Sequence, residues 1–313
     1  MTRDTPPGLP DDLALETVDL TVADIGRARA FYERVIGLEA LPAPVTAVSD
    51  RTSGTGRAAE PELVLGRGGR PIVRLGRAPS PAAPPAASTG LFHLAVLLPS
   101  RADLADFVAA LVASRAPVVG VADHGVSEAI YLQDPDGHGV EVYADRPRDV
   151  WPRREGRIAM TTDPLDVDGL LADAARAAGP AGGPVAVRPW SAPAGTRLGH
   201  VHLRVRDVDE ALTFYRDVVG FDPVASLPGA AFLSVGGYHH HLGVNAWQSA
   251  AGPPPDRGTP RLQRVRASVA SGDALVALRS RLGPAASAAH DSRVAAFRDP
   301  SGIAWRVFVR DRP

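Results

Sequence analysis

The chain has 313 residues, enough for two substantial hydrophobic cores, so two domains or a pseudo-symmetric pair are expected. Its 34 Lys and Arg balance 35 Asp and Glu, which argues against nucleic acid or an anionic membrane as a partner. Cysteine is absent, so a bound metal would need His, Asp or Glu ligands. Because no membrane-length apolar run and no apolar leader occur, the sequence predicts a cytoplasmic protein.

The N-terminal half, residues 1–145, contains two strand–helix–strand modules. The first module, at 13–78, opens with an alternating strand and continues into a helix that carries Phe31-Tyr32. The second module, at 90–145, has a helix that begins at Ser100 and a last strand that follows the turn DPDG (134–137). Both modules therefore predict a mixture of strands and helices.

A connection at 146–196, with a predicted helix near Asp168 to Ala178, leads to the C-terminal half at 197–313. There a third module spans 197–248 and a fourth spans 260–311. The stretch 17–38 recurs as 200–221 at a constant offset (200 − 17 = 183), and DPDG recurs as DPSG at 299–302. Four repeats in two alternating types indicate an α+β fold built from duplicated units.

These residues resemble the vicinal-oxygen-chelate superfamily, which includes glyoxalase I, bleomycin and fosfomycin resistance proteins and extradiol dioxygenases. The segments GLFHLAVLLPSR (90–101), GHVHLRV (199–205) and GGYHHHLGVNAW (236–247) resemble the bacterial four-module catechol-2,3-dioxygenase group, as does the region 123–148. The resemblance covers nearly the whole chain except the connection. It implies four βαβββ modules paired into two cup-shaped barrels.

The resemblance places metal ligands on the first and last strands of a module. Position by position, it transfers to His93 and Glu141 in module two and to His200 in module three. Two histidines and one carboxylate form the facial triad that leaves three positions open on Fe(II), with Mn(II) as an alternative metal.

Modules one and four depart from this pattern. Thr17 stands where module three has His200, and Arg264 and Arg306 stand where module two has its two ligands. We therefore expect modules two and three to share the metal-binding cup, and modules one and four to form a cup without metal.

The resemblance also implies catalytic and substrate-binding residues around the metal. His240 is the candidate acid–base catalyst and a substrate contact, while strand alternation should send His239 and His241 to the opposite face. Tyr131, ten residues before Glu141, is expected to bind the catechol oxygens. The remaining candidates are His124, for binding or orienting substrate and oxygen, and His202, for lining the pocket.

Oxidative extradiol cleavage of a catechol by O2 is the predicted function. Two alternatives remain open: a glyoxalase-like lyase or isomerase that uses Ni, Zn or Mn, and a non-catalytic aromatic-ligand binding protein of the drug-resistance type. Each candidate residue also has an ordinary interpretation; Glu141 could face solvent and Tyr131 could simply fill space. The expected partners are a small aromatic diol and O2; exposed sheet edges would allow a homo-oligomer, which the residues leave open.

Overall fold

The computed structural model describes residues 8–42, 62–178, 190–287 and 291–310. Residues 43–61 of module one lie outside these ranges. Two eight-stranded sheets with helices packed against them, and one small two-stranded sheet, account for the strands and helices of the described residues. The α+β class and the pair of cup-shaped sheets agree with the sequence prediction.

Modules one and two each place one helix directly after their first strand. Module one contains β1 (Ala14–Val22), α1 (Ile25–Arg34), β2 (Glu39–Leu41), β3 (Leu63–Arg67) and β4 (Arg70–Arg77). Module two contains β5 (Gly90–Leu98), α2 (Arg101–Ser114), β6 (Gly120–Asp123), β7 (Ser127–Gln133) and β8 (Gly139–Asp145).

Helix α2 illustrates how local sequence fixes these elements. The hydroxyl of Ser100 accepts a hydrogen bond from the backbone N–H of Asp103, which confirms the predicted N-cap. Leu104, Phe107 and Leu111 recur at helical spacing and are buried against the sheet. The helix therefore begins where the serine satisfies a free N–H group and stays attached through one apolar face.

The connection and the C-terminal half repeat this design with modifications. The connection contains a 3₁₀ turn (Arg148–Val150), β9 (Arg153–Arg154), β10 (Arg157–Ile158) and α3 (Val167–Ala178). Module three contains β11 (Arg197–Arg204), α4 (Val208–Thr213) with a π-helical continuation (Phe214–Val219), β12 (Asp222–Leu227), β13 (Ala230–Ser234) and β14 (Leu242–Asn245). Module four contains β15 (Arg261–Val269), α5 (Gly272–Leu282), a 3₁₀ turn (Gly283–Ala285), β16 (Ala286–Ser287), β17 (Val294–Arg298) and β18 (Ala304–Val309).

Each sheet joins modules from different halves of the chain. One sheet has the order β12-β13-β14-β11-β5-β8-β7-β6, in which β11 of module three pairs antiparallel with β5 of module two. The other has the order β16-β17-β18-β15-β1-β4-β3-β2, in which β1 of module one pairs antiparallel with β15 of module four. This is the pairing that the positions of the three candidate ligands predict.

The repeated FY and DPxG motifs connect neighbouring modules. The Tyr32 hydroxyl of module one donates to Asp134 of the DPDG turn at 3.2 Å, and the Tyr215 hydroxyl of module three donates to Asp299 of the DPSG turn at 3.0 Å. Both tyrosines are fully buried. The most recognisable motifs of the sequence thus have a structural role, because each fastens the helix of one module to the last turn of the next.

Strand alternation separates the two faces of the metal-cup sheet. Leu94, Val96 and Val142 point into the main hydrophobic core, whereas Ala95 and Tyr143 belong to a small cluster on the inner face. On each of these strands, the residues that point to the same side as Ala95 and Tyr143 line the concave side of the cup.

Candidate metal centre

Three potential ligand atoms converge on the inner face of the sheet shared by modules two and three. Glu141 on β8 places Oε2 3.0 Å from Nε2 of His93 on β5 and 3.1 Å from Nε2 of His200 on β11. One ligand atom from each residue lies within 4.8 Å of the other two, and all three side chains are buried. The three central strands of the sheet therefore bring the predicted ligands to one point.

The chemistry of the cluster fits a divalent metal. His93 Nε2 is buried and, within the described ranges, has no hydrogen-bond partner, because its contact with Glu141 lacks hydrogen-bond alignment. An unpartnered buried nitrogen costs free energy unless its lone pair binds something. Nitrogen and carboxylate oxygen ligands are the set that Fe, Mn or Zn would accept here.

The protonation of the cluster also favours a cation. Burial raises the pKa of the Glu141 carboxyl, but the adjacent His200 and His93 rings outweigh this effect and hold the pKa well below its usual value. Burial lowers the pKa of His200, although Glu141 opposes this shift. At neutral pH the site thus presents a carboxylate and a neutral imidazole, the forms that bind metals.

His202 borders the triad and forms part of an aromatic wall. Its ring centroid lies 5.0 Å from that of His93 and 5.1 Å from that of Phe92, and its Nε2 accepts a hydrogen bond from the Asn245 amide at 3.0 Å. Burial, followed by the nearby His93 and His200, lowers the pKa of His202 far below its usual value. Two further aromatic residues close the wall: Phe232, 5.6 Å from His202, and Trp247, 5.8 Å from it.

His240 packs against the ligand His200, with 4.1 Å between ring centroids. The expectation that His239 and His241 lie on the opposite face is wrong for His239, whose Nδ1 is 2.9 Å from Nδ1 of His240. The reason is local: the three histidines precede β14 in an irregular turn, so strand alternation does not apply to them. His241 turns toward Ser234, whose hydroxyl donates to its Nδ1 at 2.9 Å.

Tyr131 lies beside the triad and is tied to His124. Tyr131 on β7 is the cross-strand partner of Glu141, and its ring centroid is 5.5 Å from that of His93. The backbone carbonyl of Thr161 accepts from His124 Nδ1 at 2.7 Å, so the Tyr131 hydroxyl donates to the remaining nitrogen, Nε2, also at 2.7 Å. Burial raises the pKa of Tyr131 well above its usual value, which keeps the hydroxyl neutral.

The equivalent positions of modules one and four hold a different charge pattern. Asp19, which matches His202 at the same offset of 183, is buried and makes a two-oxygen ion pair with Arg266 at 2.9 and 3.0 Å. Arg264 and Arg74 approach its carboxylate at 3.7 and 3.8 Å. Guanidinium groups repel cations, so this second cup does not provide a metal site at the positions corresponding to the triad.

Comparison with known proteins agrees with this architecture. A family model described as "Glyoxalase/Bleomycin resistance protein/Dioxygenase superfamily" matches residues 14–142 and 197–307. The chain belongs to this superfamily. A catechol-2,3-dioxygenase of Bacillus subtilis (strain 168) is 41% identical to this chain over 248 residues. The matched region covers 78% of this chain and 78% of the relative.

Solved structures resemble the chain at the level of the fold. A provisionally assigned dioxygenase from Bacillus subtilis subsp. subtilis str. 168 superposes with a TM-score of 0.60 at 11% identity, covering 98% of this chain and 87% of its own. Glyoxalase I from Zea mays superposes with a TM-score of 0.54 at 15% identity, covering 95% of this chain and 92% of its own.

None of the helices in the described ranges is long and apolar enough to cross a bilayer.

Sequence reasoning missed several residues around the candidate metal site. Asp145 accepts from His239 Nε2 at 2.8 Å, and Asn245 holds His202. A signal for Asp145 was present, because it lies four residues after Glu141 on the same strand and therefore on the same face. Asn245 and Phe92 carried no such signal, since their contacts come from neighbouring strands.

The buried histidines should make the metal-free protein sensitive to acid. Burial, followed by His239 and Arg197, lowers the pKa of His241 to about 3, so the unfolded chain takes up this proton first as the pH falls below about 6.5. Stability is therefore lost as the pH falls, by about 2 kcal/mol at pH 5 from this residue alone. In His241→Asn, we expect the free energy of unfolding in urea to fall about 2 kcal/mol less than in the wild type between pH 7 and pH 5.

Ser234→Ala provides the matched control, because it removes a hydrogen bond to the same ring but keeps the imidazole. It should retain the wild-type pH dependence. Equal pH dependence in His241→Asn and the wild type would show that His241 is not the titrating group.

Proposed function

We propose that the chain is an Fe(II)-dependent extradiol dioxygenase that uses O2 to open a catechol ring beside its two hydroxyl groups. The convergence of His93, Glu141 and His200 on one point carries the proposal. The similarity to a catechol-2,3-dioxygenase over most of the chain supports it. Its substrate would be a small aromatic diol.

A centre with three protein ligands suits this reaction. Iron held by the triad would supply adjacent open positions for the two catechol oxygens and for dioxygen. Mn(II) accepts the same ligands and is the alternative metal. With one carboxylate among its ligands, a divalent metal held there would keep a net positive charge and would favour an anionic catecholate.

The residues around the triad would orient the substrate and move its protons. Phe92, Phe232 and Trp247 form a wall suited to the face or edge of an aromatic ring. His240, against His200, is positioned to accept a hydroxyl proton, and burial followed by His200 and His239 lowers its pKa well below the usual value, which keeps the ring neutral before the substrate binds. His202 would line the pocket beside it.

Tyr131 and His124 would act together at the opposite edge of the triad. Since the Tyr131 hydroxyl donates its hydrogen to His124, its oxygen remains available to accept a hydrogen bond from a catechol hydroxyl. His124, in turn, fixes the orientation of that hydroxyl. A bound diol would thus meet Tyr131 on one side and His240 on the other.

Reconstitution tests the proposal directly. Metal-free protein is loaded with Fe(II) anaerobically and then given catechol and O2; one O2 should be consumed per catechol and a yellow ring-opened product should form. His93→Ala and His200→Ala should each lose at least about 100-fold in turnover, since even partners outside the ligand sphere typically cost 10- to 100-fold. Arg264→Ala, at the position corresponding to His93 in the other cup, is the matched control and should retain turnover.

Two further arms separate the alternatives. Protein loaded with Zn(II), Ni(II) or Mn(II) is offered the hemithioacetal of methylglyoxal and glutathione, and isomerisation without O2 uptake would replace the proposal with a glyoxalase-like activity. If the protein binds catechol equally well with and without metal, and consumes no O2, it is a binding protein.

A further inference from the structure

A chain of hydrogen-bonded side chains leads from His240 away from the metal ligands. Nδ1 of His240 lies 2.9 Å from Nδ1 of His239, and Nε2 of His239 lies 2.8 Å from Oδ1 of Asp145. The Tyr238 hydroxyl donates to both oxygens of the same carboxylate at 3.1 and 3.0 Å. His239 is completely buried and His240 nearly so, which shields the contact between the two rings from water, while the Asp145 side chain at the far end is 25% exposed.

The carboxylate of Asp145, at the far end of this series of hydrogen bonds, determines which atom donates in each bond. A carboxylate only accepts, so the nitrogen of His239 that faces Asp145 must carry a hydrogen. A neutral His239 then has a bare Nδ1, which can only accept. The hydrogen between the two Nδ1 atoms must therefore belong to His240, which leaves Nε2 of His240 without one.

We infer that Asp145 and His239 are positioning residues that fix His240 in the Nδ1–H tautomer, so that its Nε2 is the nitrogen that accepts from the substrate. This inference rests on the proposed function. In the proton transfer, an O–H bond of the diol breaks, an N–H bond forms at Nε2, and the substrate becomes an anion. The positive charge on His240 is then stabilised through His239 by the carboxylate of Asp145, in the manner of a base oriented by a third group.

The same nitrogen–nitrogen and nitrogen–oxygen distances would also fit hydrogen bonds that run in the opposite direction, from His239 to His240. If His239 carried hydrogens on both nitrogens, it would donate to His240, and His240 would hold its hydrogen on Nε2. His240 would then offer the substrate a donor. The position of one hydrogen therefore separates the two arrangements.

Nitrogen NMR of the metal-free, full-length protein with ¹⁵N-labelled histidine measures this position. The chain has nine histidines, and the His240 signals are identified by their loss in His240→Gln. We expect an Nδ1–H tautomer for His240 in the wild type and its loss in His239→Phe, which removes the acceptor. Asp145→Ala should also weaken this preference, because His239 is then free to reverse its own tautomer.

Ser234→Ala, which removes the hydroxyl contacts with His241 and with the backbone carbonyl of Val235, should leave the His240 signals unchanged. An Nε2–H tautomer in the wild type, or an Nδ1–H tautomer that persists in both His239→Phe and Asp145→Ala, would overturn the inference.

Kinetics with iron-loaded protein provides the second measurement. Asp145→Ala and His239→Phe should lower kcat about 10- to 100-fold at unchanged iron content and nearly unchanged KM. Asp145→Glu should restore part of the loss, because it returns a carboxylate. If the wild type shows the Nδ1–H tautomer but cleaves no catechol, the proposed function fails while the hydrogen-bond direction stands, so the two failures are distinguishable.

Discussion

Replacing Glu141 with glutamine is expected to abolish the stabilisation that Fe(II) gives to the folded protein. The wild type should gain about 2.7 kcal/mol at an iron concentration 100 times the dissociation constant. The variant loses the one anionic oxygen, which lies 3.0 and 3.1 Å from the two ring nitrogens, and retains a neutral amide. Its iron affinity and its turnover should fall at least about 100-fold, since even partners outside the ligand sphere typically cost 10- to 100-fold.

The measurement is anaerobic urea unfolding with and without Fe(II). The metal-free variant should unfold at a lower urea concentration than the wild type, because the adjacent histidines hold the pKa of Glu141 well below its usual value and so favour the ionised carboxylate in the folded protein. Glu128→Gln is the matched control: Glu128 is another buried carboxylate of the same sheet, paired with Arg101 at 2.6 Å. It should destabilise the protein equally with and without iron. Retained iron-dependent stabilisation in Glu141→Gln would exclude the triad as the metal site.

The resemblance to the superfamily predicted the three residues of the triad, and strand alternation, which is a local property, agrees with the face on which they lie. His200 and His202 alternate with Val201 and Leu203, so the choice of face follows once one face is apolar. The departures at Thr17, Arg264 and Arg306 then predicted which modules share a sheet. That inference succeeded because a ligand set can form only where its strands are neighbours.

The residues that the sequence left unassigned depend on contacts between distant segments. Asp145 meets His239 across 94 positions, and Trp247 meets Phe92 across the cup. The histidine run was misassigned because its three residues lie in a turn, where a period of two has no meaning. Side chains in such a turn do not alternate between two faces, so their directions cannot be predicted from sequence spacing.

The second cup leads to the last prediction, a large loss of stability in Asp19→Asn. The Asp19 carboxylate is buried, pairs with Arg266 at 2.9 and 3.0 Å, and lies within 3.8 Å of Arg264 and Arg74. Removing one partner of a buried ion pair typically costs about 3–5 kcal/mol, because the remaining charge stays out of water. We expect a loss of this size in the free energy of unfolding in urea.

The control and a second substitution test this cause. Asp217→Asn breaks the pair with Arg216, in which both side chains are about half exposed, and should change stability by less than about 1 kcal/mol. Combining Asp19→Asn with Arg266→Met should restore part of the loss, because the double variant also removes the buried guanidinium that had paired with the Asp19 carboxylate. Iron content should stay at the wild-type value in all these variants, since the triad lies on the other sheet. A cost below 1 kcal/mol for Asp19→Asn would mean that the arginines of the second cup do not depend on this carboxylate.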